Sequence, residues 1–88
     1  MELLEQAFQM KGVDEQGLTR TDREYLRLLL DSTEAVGLET LATTLGESVA
    51  TLEESVEPFL LQQGFARRTP RGRIATDKAR ALIQGVAA

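Results

Sequence analysis

The side chains best suited to binding chemistry in this sequence are cations gathered near its C-terminal end. Six stand there, four of them within seven residues: Arg67, Arg68, Arg71, Arg73, Lys78 and Arg80. Residues 66–88 carry a balance of +5, whereas residues 1–65 carry −9. Guanidinium groups match phosphate oxygens with paired donors. The asymmetry predicts that the C-terminal quarter meets an anion while the rest is scaffold or faces a protein, unless the arginines only solubilise a hairpin.

Composition excludes several classes of site. The chain has 88 residues, net charge −4, and neither cysteine nor histidine, which removes disulfides, thiolate metal sites and the usual general base. No segment fits Gly-x-x-x-x-Gly-Lys-Ser/Thr, so we expect no ATP hydrolysis and no cofactor in this chain, which is then not an enzyme by itself. No apolar run is long enough for a membrane span, and the acidic start lacks a secretory signal, so a cytoplasmic protein without membrane contact is expected.

Periodicity predicts short helices in the first half of the chain. Residues 1–12 are expected to form a short helix from the end of a preceding domain or a linker, and a single domain is expected over 13–88. Thr21-Asp22-Arg23-Glu24 fits a capping box, so a central helix is expected to begin at Thr21. A shorter helix spans Leu38 to Leu45 and ends at Gly46.

Another helix is predicted to begin after Ser48 and to end at Gly64. Its apolar residues recur at helical spacing, while Glu53, Glu54 and Glu57 take other faces and are expected to be solvated. Pro58 lies inside the helix, where it removes a hydrogen bond and predicts a kink or local break.

Residues 65–76 change to the pattern of a hairpin. Thr69-Pro70-Arg71-Gly72 puts proline second in a turn and glycine where a bulge needs positive φ. That turn is expected to pair Thr69 with Arg73. Arg67 and Arg73 would then share one face of the hairpin, and Arg68 the other. A final helix follows, capped by Thr76 or Asp77.

This order of elements predicts a mainly α fold with a small antiparallel hairpin, a winged helix-turn-helix. The second helix of such a pair, the recognition helix, usually enters the DNA major groove. Here it carries carboxylates and no cation, so phosphates would be repelled. The hairpin, or wing, is therefore the expected DNA contact, and neutralising about four phosphates predicts a log–log salt slope of roughly −3.6.

Short motifs recur through most of the chain, from about residue 13 to 81, in the order of a known family. They are Gly17-Leu18, Asp22-Arg23, Tyr25-Leu26, Val36-Gly37-Leu38, Thr40-Leu41-Ala42, Thr51, Glu53-Glu54, Glu57-Pro58-Phe59-Leu60, Gln63-Gly64-Phe65, Arg68-Thr69-Pro70-Arg71-Gly72-Arg73 and Ala75-Thr76. This set resembles the C-terminal domain of RuvB, a family of bacterial Holliday-junction branch-migration motors. The most specific part is residues 57–76.

The resemblance implies a DNA-contacting wing in which Thr69 and Gly72 shape the turn. With the neighbouring cations, the expected DNA-binding set is Arg67, Arg68, Thr69, Arg71, Gly72, Arg73 and Lys78. It also implies that the whole motor is a ring-forming helicase that uses ATP and Mg²⁺ in DNA recombination and repair. Implied partners are double-stranded or Holliday-junction DNA, the motor's own ATPase domains and a junction-binding protein, with residues 1–12 joining a preceding lid domain.

Two other functions fit the residues less well. A protein-interaction winged helix would dock a partner through its acidic helices and use the wing only for solubility. A stand-alone DNA-binding regulator would need arginine, lysine, asparagine or glutamine on the recognition helix to read base edges. That helix offers only Gln62 and Gln63, at its far end.

Overall fold

A computed structural model describes residues 17–84 of the chain. The predicted helix over 1–12, most of the connector after it and the last four residues lie outside that range. The described elements are α1 (Arg20–Leu30), α2 (Leu38–Leu45), α3 (Val49–Thr51), a π-helical turn (Leu52–Val56), α4 (Glu57–Gln62), β1 (Ala66–Thr69), β2 (Gly72–Ala75) and α5 (Asp77–Gln84). The mainly helical architecture with one antiparallel hairpin is as predicted.

One core joins the helices to the base of the hairpin. Its buried apolar side chains come from every region of the described chain: Leu18, Tyr25, Leu26, Leu29, Val36, Leu41, Ala42, Leu52, Val56, Leu60, Phe65, Ala66 and Ala79. Helix α2 ends at Gly46, whose φ of 73° suits glycine, and Ser48 caps α3 by accepting from the Thr51 amide. The predicted turn between these two helices is confirmed.

Helix α1 begins two residues earlier than predicted. Thr19, not Thr21, is the N-cap: its hydroxyl accepts from the Asp22 amide (3.0 Å), and the Asp22 carboxylate accepts from the Thr19 amide (2.9 Å). The prediction favoured the Thr-x-x-Glu spacing from Thr21 to Glu24. The chain instead uses the overlapping Thr-x-x-Asp box, in which the shorter carboxylate of Asp22 closes the reciprocal pair.

The recognition helix consists of α3, the π-helical turn and α4. Its hydrogen-bonding pattern changes just before Pro58, but the helix does not break. The amide of Glu57 bonds to the carbonyl of Leu52, five residues back, and closes the π-helical turn. A wider turn before proline accommodates the ring, which would otherwise meet the carbonyl four residues back. The predicted local irregularity is therefore a π turn, and the helix continues to Gln62, close to Gly64 as predicted.

The register of the hairpin differs from the prediction. Thr69 pairs with Gly72, not with Arg73, so the loop is Pro70-Arg71 alone. Arg68 therefore lies opposite Arg73, on one face, and Arg67 shares the other face with Ile74. The expected sharing of a face by Arg67 and Arg73 is wrong.

A third backbone segment fixes this register. Val36 forms a bridge to Arg73, with Val36 N to Arg73 O at 2.9 Å and Arg73 N to Val36 O at 2.8 Å. A Cβ at Gly72 (φ 139°) would lie 2.6 Å from the Val36 carbonyl carbon and oxygen. Only glycine permits that approach, so β2 docks on the segment before α2.

Candidate nucleic-acid interface

Two wing arginines are exposed to solvent. Arg67 lies on the outer face of β1 and Arg71 lies in the two-residue loop, and both are exposed. Neither makes an ion pair with any residue between 17 and 84. Their guanidinium donors are therefore available to an external anion.

The opposite face of the wing is fastened to a buried carboxylate. Arg73 Nε donates to Glu57 Oε2 (2.8 Å) and Nη2 donates to Oε1 (3.1 Å), a bidentate pair. The Tyr25 hydroxyl donates to the same Oε2 (2.6 Å). Glu57 has no exposed side-chain surface and Arg73 has 15%, so the three side chains together link α1, the recognition helix and β2 inside the protein.

Arg68 occupies an intermediate position on that face. Its Nη2 lies 3.7 Å from Glu57 Oε1, and 58% of its side chain is exposed. An ion pair this long and this exposed adds little stability. Arg68 therefore leans toward the body but remains accessible to solvent.

The network shifts the ionisation of its members in a consistent direction. Burial alone would raise the pKa of the Glu57 carboxyl, but hydrogen bonds from Arg73 and Tyr25, with the charges of Arg73 and Arg68, hold it below its usual value. Burial and the Glu57 carboxylate raise the pKa of the Tyr25 phenol. The hydrogen bond to Glu57 raises the pKa of Arg73. Glu57 is thus an anion and Tyr25 a neutral donor at neutral pH.

Thr69 and Gly72 shape the turn, as the resemblance implies. The Thr69 hydroxyl donates to the Gly72 carbonyl (2.8 Å) and accepts from the Arg71 amide (3.2 Å). Gly72 is buried against Val36, which leaves its backbone little surface for a ligand. Both residues hold Arg71 at the tip.

Lys78 lies at the base of the wing and is partly committed. Its Nζ donates to the carbonyl of Gln63 (2.7 Å) and lies 4.8 Å from the centre of the Phe65 ring. It closes the C-terminal end of the recognition helix, where a cation is favoured. Lys78 is nevertheless exposed, so its charge still contributes to the electrostatic field around the hairpin.

The four arginines of the expected site therefore lie in three different environments. Arg67 and Arg71 face solvent, whereas Arg73 is bound to the body and Arg68 lies between these extremes. Sequence reasoning missed Glu57, which was expected on a solvated acidic face. The available signal was a single carboxylate inside the apolar run of residues 56–61, because an acid placed there is buried only with partners.

The recognition helix presents carboxylates where a groove-reading helix would need donors. Glu53 and Glu54 are exposed on it. Within residues 17–84 no three acidic side chains come together as metal ligands. No helix in the same range is long and apolar enough to cross a bilayer.

A helix-turn-helix followed by a hairpin that docks on the same core defines a winged-helix domain. Residues 15–84 match the family described as the RuvB C-terminal winged helix domain. The chain belongs to this family.

Curated relatives and solved structures agree with that assignment. Relatives named Holliday junction branch migration complex subunit RuvB include one from Prochlorococcus marinus strain MIT 9303, 55% identical over 80 residues that make up 89% of this chain and 23% of that protein. One from Anaplasma phagocytophilum strain HZ is 52% identical over 77% of this chain and 21% of its own length. The structure of the Thermotoga maritima RuvB Holliday junction branch migration motor superposes with a TM-score of 0.81 at 37% identity, covering 99% of this chain and 30% of that one. The chain thus spans under a third of these proteins.

Proposed function

We propose that this domain binds duplex DNA without sequence preference, through the exposed arginines of its wing, as a module of a Holliday-junction branch-migration motor. The observation that carries the proposal is that Arg67 and Arg71 are exposed and pair with no carboxylate among residues 17–84, on a hairpin whose base is fixed to the core. Phosphates accept bidentate hydrogen bonds from arginine and carry no sequence information themselves. A rigid basic hairpin is therefore suited to the DNA backbone or the minor groove.

The electrostatics of the body support the wing over the recognition helix. Glu53 and Glu54 are exposed on that helix, and carboxylates near phosphates are repelled. Burial withdraws Glu57 from this surface, so it adds no exposed carboxylate there. The wing is the contact that keeps phosphates next to cations.

The number of available cations implies weak binding by one domain. Arg67, Arg68 and Arg71 together would neutralise about three phosphates and give a log–log salt slope of roughly −2.7. Such an interaction gains useful occupancy when several copies act together or when the domain is tethered to DNA by another part of the protein.

The names of the relatives indicate which kind of protein would provide that tether. Because they are named subunits of a branch migration complex, we propose that the domain works with ATPase domains of the same motor and with a junction-binding partner protein in DNA recombination and repair. The ATPase chemistry belongs to those other domains, and the motor acts in the bacterial cytoplasm. In this arrangement the wing supplies backbone contact while the ATPase supplies movement.

Titration of the 88-residue chain with duplex, four-way-junction and single-stranded DNA tests the proposal. At low salt we expect duplexes of unrelated sequence to bind alike, and binding to fall steeply with salt. A chain that binds no DNA at low salt, yet is captured by the other RuvB domains or the junction-binding protein through its acidic helices, would favour protein docking instead. Strong preference for one duplex sequence would favour a regulator.

A further inference from the structure

Two like charges face each other across the hairpin and share one anion. Arg68 and Arg73 are directly paired in the ladder, an arrangement that is destabilising for two cations on one face. The Glu57 carboxylate lies within 4 Å of both guanidinium groups. Because one carboxylate neutralises one cation, the cluster of Glu57, Arg68 and Arg73 keeps a surplus positive charge at the wing.

We propose that Glu57 is a positioning residue of the DNA interface: it holds the wing on the body through Arg73 and leaves Arg68 as the cation that a phosphate can take. This inference rests on the proposed function. In this proposal Arg73 holds the hairpin in place. The recognition helix contributes to DNA binding indirectly, through Glu57 on its buried face.

Arg73 is poorly placed to leave Glu57 for DNA. Its side chain makes two hydrogen bonds to Glu57, and its backbone makes two more to Val36. Withdrawing it would leave a fully buried carboxylate with only the Tyr25 hydroxyl as a close donor, and an uncompensated buried charge is strongly unfavourable. Arg73 therefore transmits the position of the recognition helix to the wing.

Arg68 is placed to move away from the Glu57 carboxylate. Its 3.7 Å approach to Oε1 is longer than a hydrogen bond, and more than half of its side chain is exposed. If a phosphate takes Arg68, Glu57 keeps its hydrogen bonds from Arg73 and Tyr25, so the exchange leaves no buried group unsatisfied. The same carboxylate thus holds one arginine firmly and the other loosely.

A comparison of Glu57→Gln with Glu53→Gln in the 88-residue chain tests the proposal by the sign of its effect. Both changes remove one negative charge from the recognition helix, and Glu53 is exposed and outside the network. If only net charge mattered, both variants would bind duplex DNA equally or more tightly. We expect Glu53→Gln to bind up to about twofold more tightly and Glu57→Gln about fivefold more weakly, because the wing cations lose their alignment.

Amide hydrogen exchange shows whether the structural effect of Glu57→Gln is confined to the wing. In Glu57→Gln the amides of Val36 and Arg73, which bond to each other's carbonyls, should exchange faster, while the Gln63 amide at the end of α4 stays protected. Binding by Glu57→Gln that equals or exceeds that of the unmodified chain would overturn the proposal. Weaker binding with unchanged exchange at Val36 and Arg73 would also contradict it.

Arg73→Lys keeps the proposal testable if Glu57→Gln does not fold. This change keeps the charge but loses the bidentate geometry, so positioning predicts about threefold weaker DNA binding. Arg27→Lys, on α1 and outside the wing, is the matched control and should bind as the unmodified chain does. Equal binding by Arg73→Lys and the control would overturn the proposal. If Arg71→Ala also left binding unchanged, the proposed DNA-binding function itself would fail.

Discussion

At the base of the wing, Arg73 is 15% exposed, makes a bidentate pair with a buried carboxylate and bonds through its backbone to Val36. At the tip, two residues earlier in the chain, Arg71 is exposed and pairs with no carboxylate among residues 17–84. The two side chains are chemically identical, so only their surroundings separate their roles. The comparison indicates that this arginine-rich hairpin uses one of its cations to attach itself to the body and leaves others available to a ligand.

The same contrast explains how an acidic domain can present a basic surface. The Glu57 carboxylate lies inside the protein, where it fixes the wing, whereas Glu53 and Glu54 lie on the exposed part of the recognition helix. Under the proposed DNA contact, the buried and exposed acids of this helix act in opposite directions on a phosphate. The buried one organises cations, and the exposed ones repel the anion.

Gly72→Ala should have the largest effect, because it separates the base of the wing from the body. The new Cβ would lie 2.6 Å from the Val36 backbone and would require a φ of 139°, so we expect a loss of about 4 kcal/mol in the free energy of unfolding. Gly64→Ala is the control: it shares positive φ (78°) but has nothing within 4 Å, and should cost about 1 kcal/mol. Equal losses in urea unfolding would show that the close approach to Val36 is unimportant.

Glu57→Gln should destabilise the domain at neutral pH by about 3 kcal/mol, since Arg73 loses its buried anion. Because the pKa of Glu57 is lowered by folding, the carboxylate's contribution is complete above its unfolded pKa and is lost as pH falls through the folded value. Urea unfolding at pH 7 and at about pH 3 should show a smaller acid-induced loss for Glu57→Gln than for the unmodified chain. An equal loss in both would contradict the role of this network in acid sensitivity.

Tyr25→Phe isolates the third member of the network. It removes the hydroxyl that donates to Glu57 Oε2 but keeps the ring in the core and the Arg73 pair intact. We expect a loss of about 1.5 to 2 kcal/mol in the free energy of unfolding, at the lower end of the value of a hydrogen bond to a charged group. Thermal unfolding of Tyr25→Phe beside Glu57→Gln measures it, and a loss as large as that of Glu57→Gln would mean that Tyr25, not Arg73, is the principal partner of Glu57.

Arg71→Ala should have the smallest effect on folding. The side chain is exposed at the tip and contributes no ion pair to the described part of the chain, so the free energy of unfolding should change by less than about 0.5 kcal/mol. Thermal unfolding of Arg71→Ala, measured beside that of Arg73→Ala, compares the tip of the wing with its base directly. A similar loss of stability in both variants would erase the distinction between tip and base.

Features that depend on near neighbours were predictable from the sequence. The end of α2 at Gly46, the Ser48 cap and the Thr76 cap of α5 each involve residues at most a few positions apart. The start of α1 was misplaced by two residues because two overlapping sequences at Thr19 and Thr21 both satisfy the capping rule. The winged-helix class and its family also followed from the order of these local signals and from the motifs.

Features that depend on distant partners were not predictable. Glu57 finds Tyr25 and Arg73 at sequence separations of 32 and 16, and no local pattern records those distances. The spacing of Glu53 and Glu57 indicates one shared helix face, but the π turn between Leu52 and Val56 changes the period there. The hairpin register likewise depends on Val36, outside the hairpin, which fixes Gly72 and Arg73 in place.

The most direct test of the account is the salt dependence of duplex binding by the 88-residue chain and by its Arg67→Ala/Arg71→Ala variant. If the exposed wing arginines neutralise phosphates, the double change should weaken binding to every duplex sequence alike. It should also flatten the log–log salt slope by about 1.8 without altering thermal unfolding. Parallel salt plots with equal affinities for the two proteins would contradict the claim that the wing is the part of this domain that binds DNA.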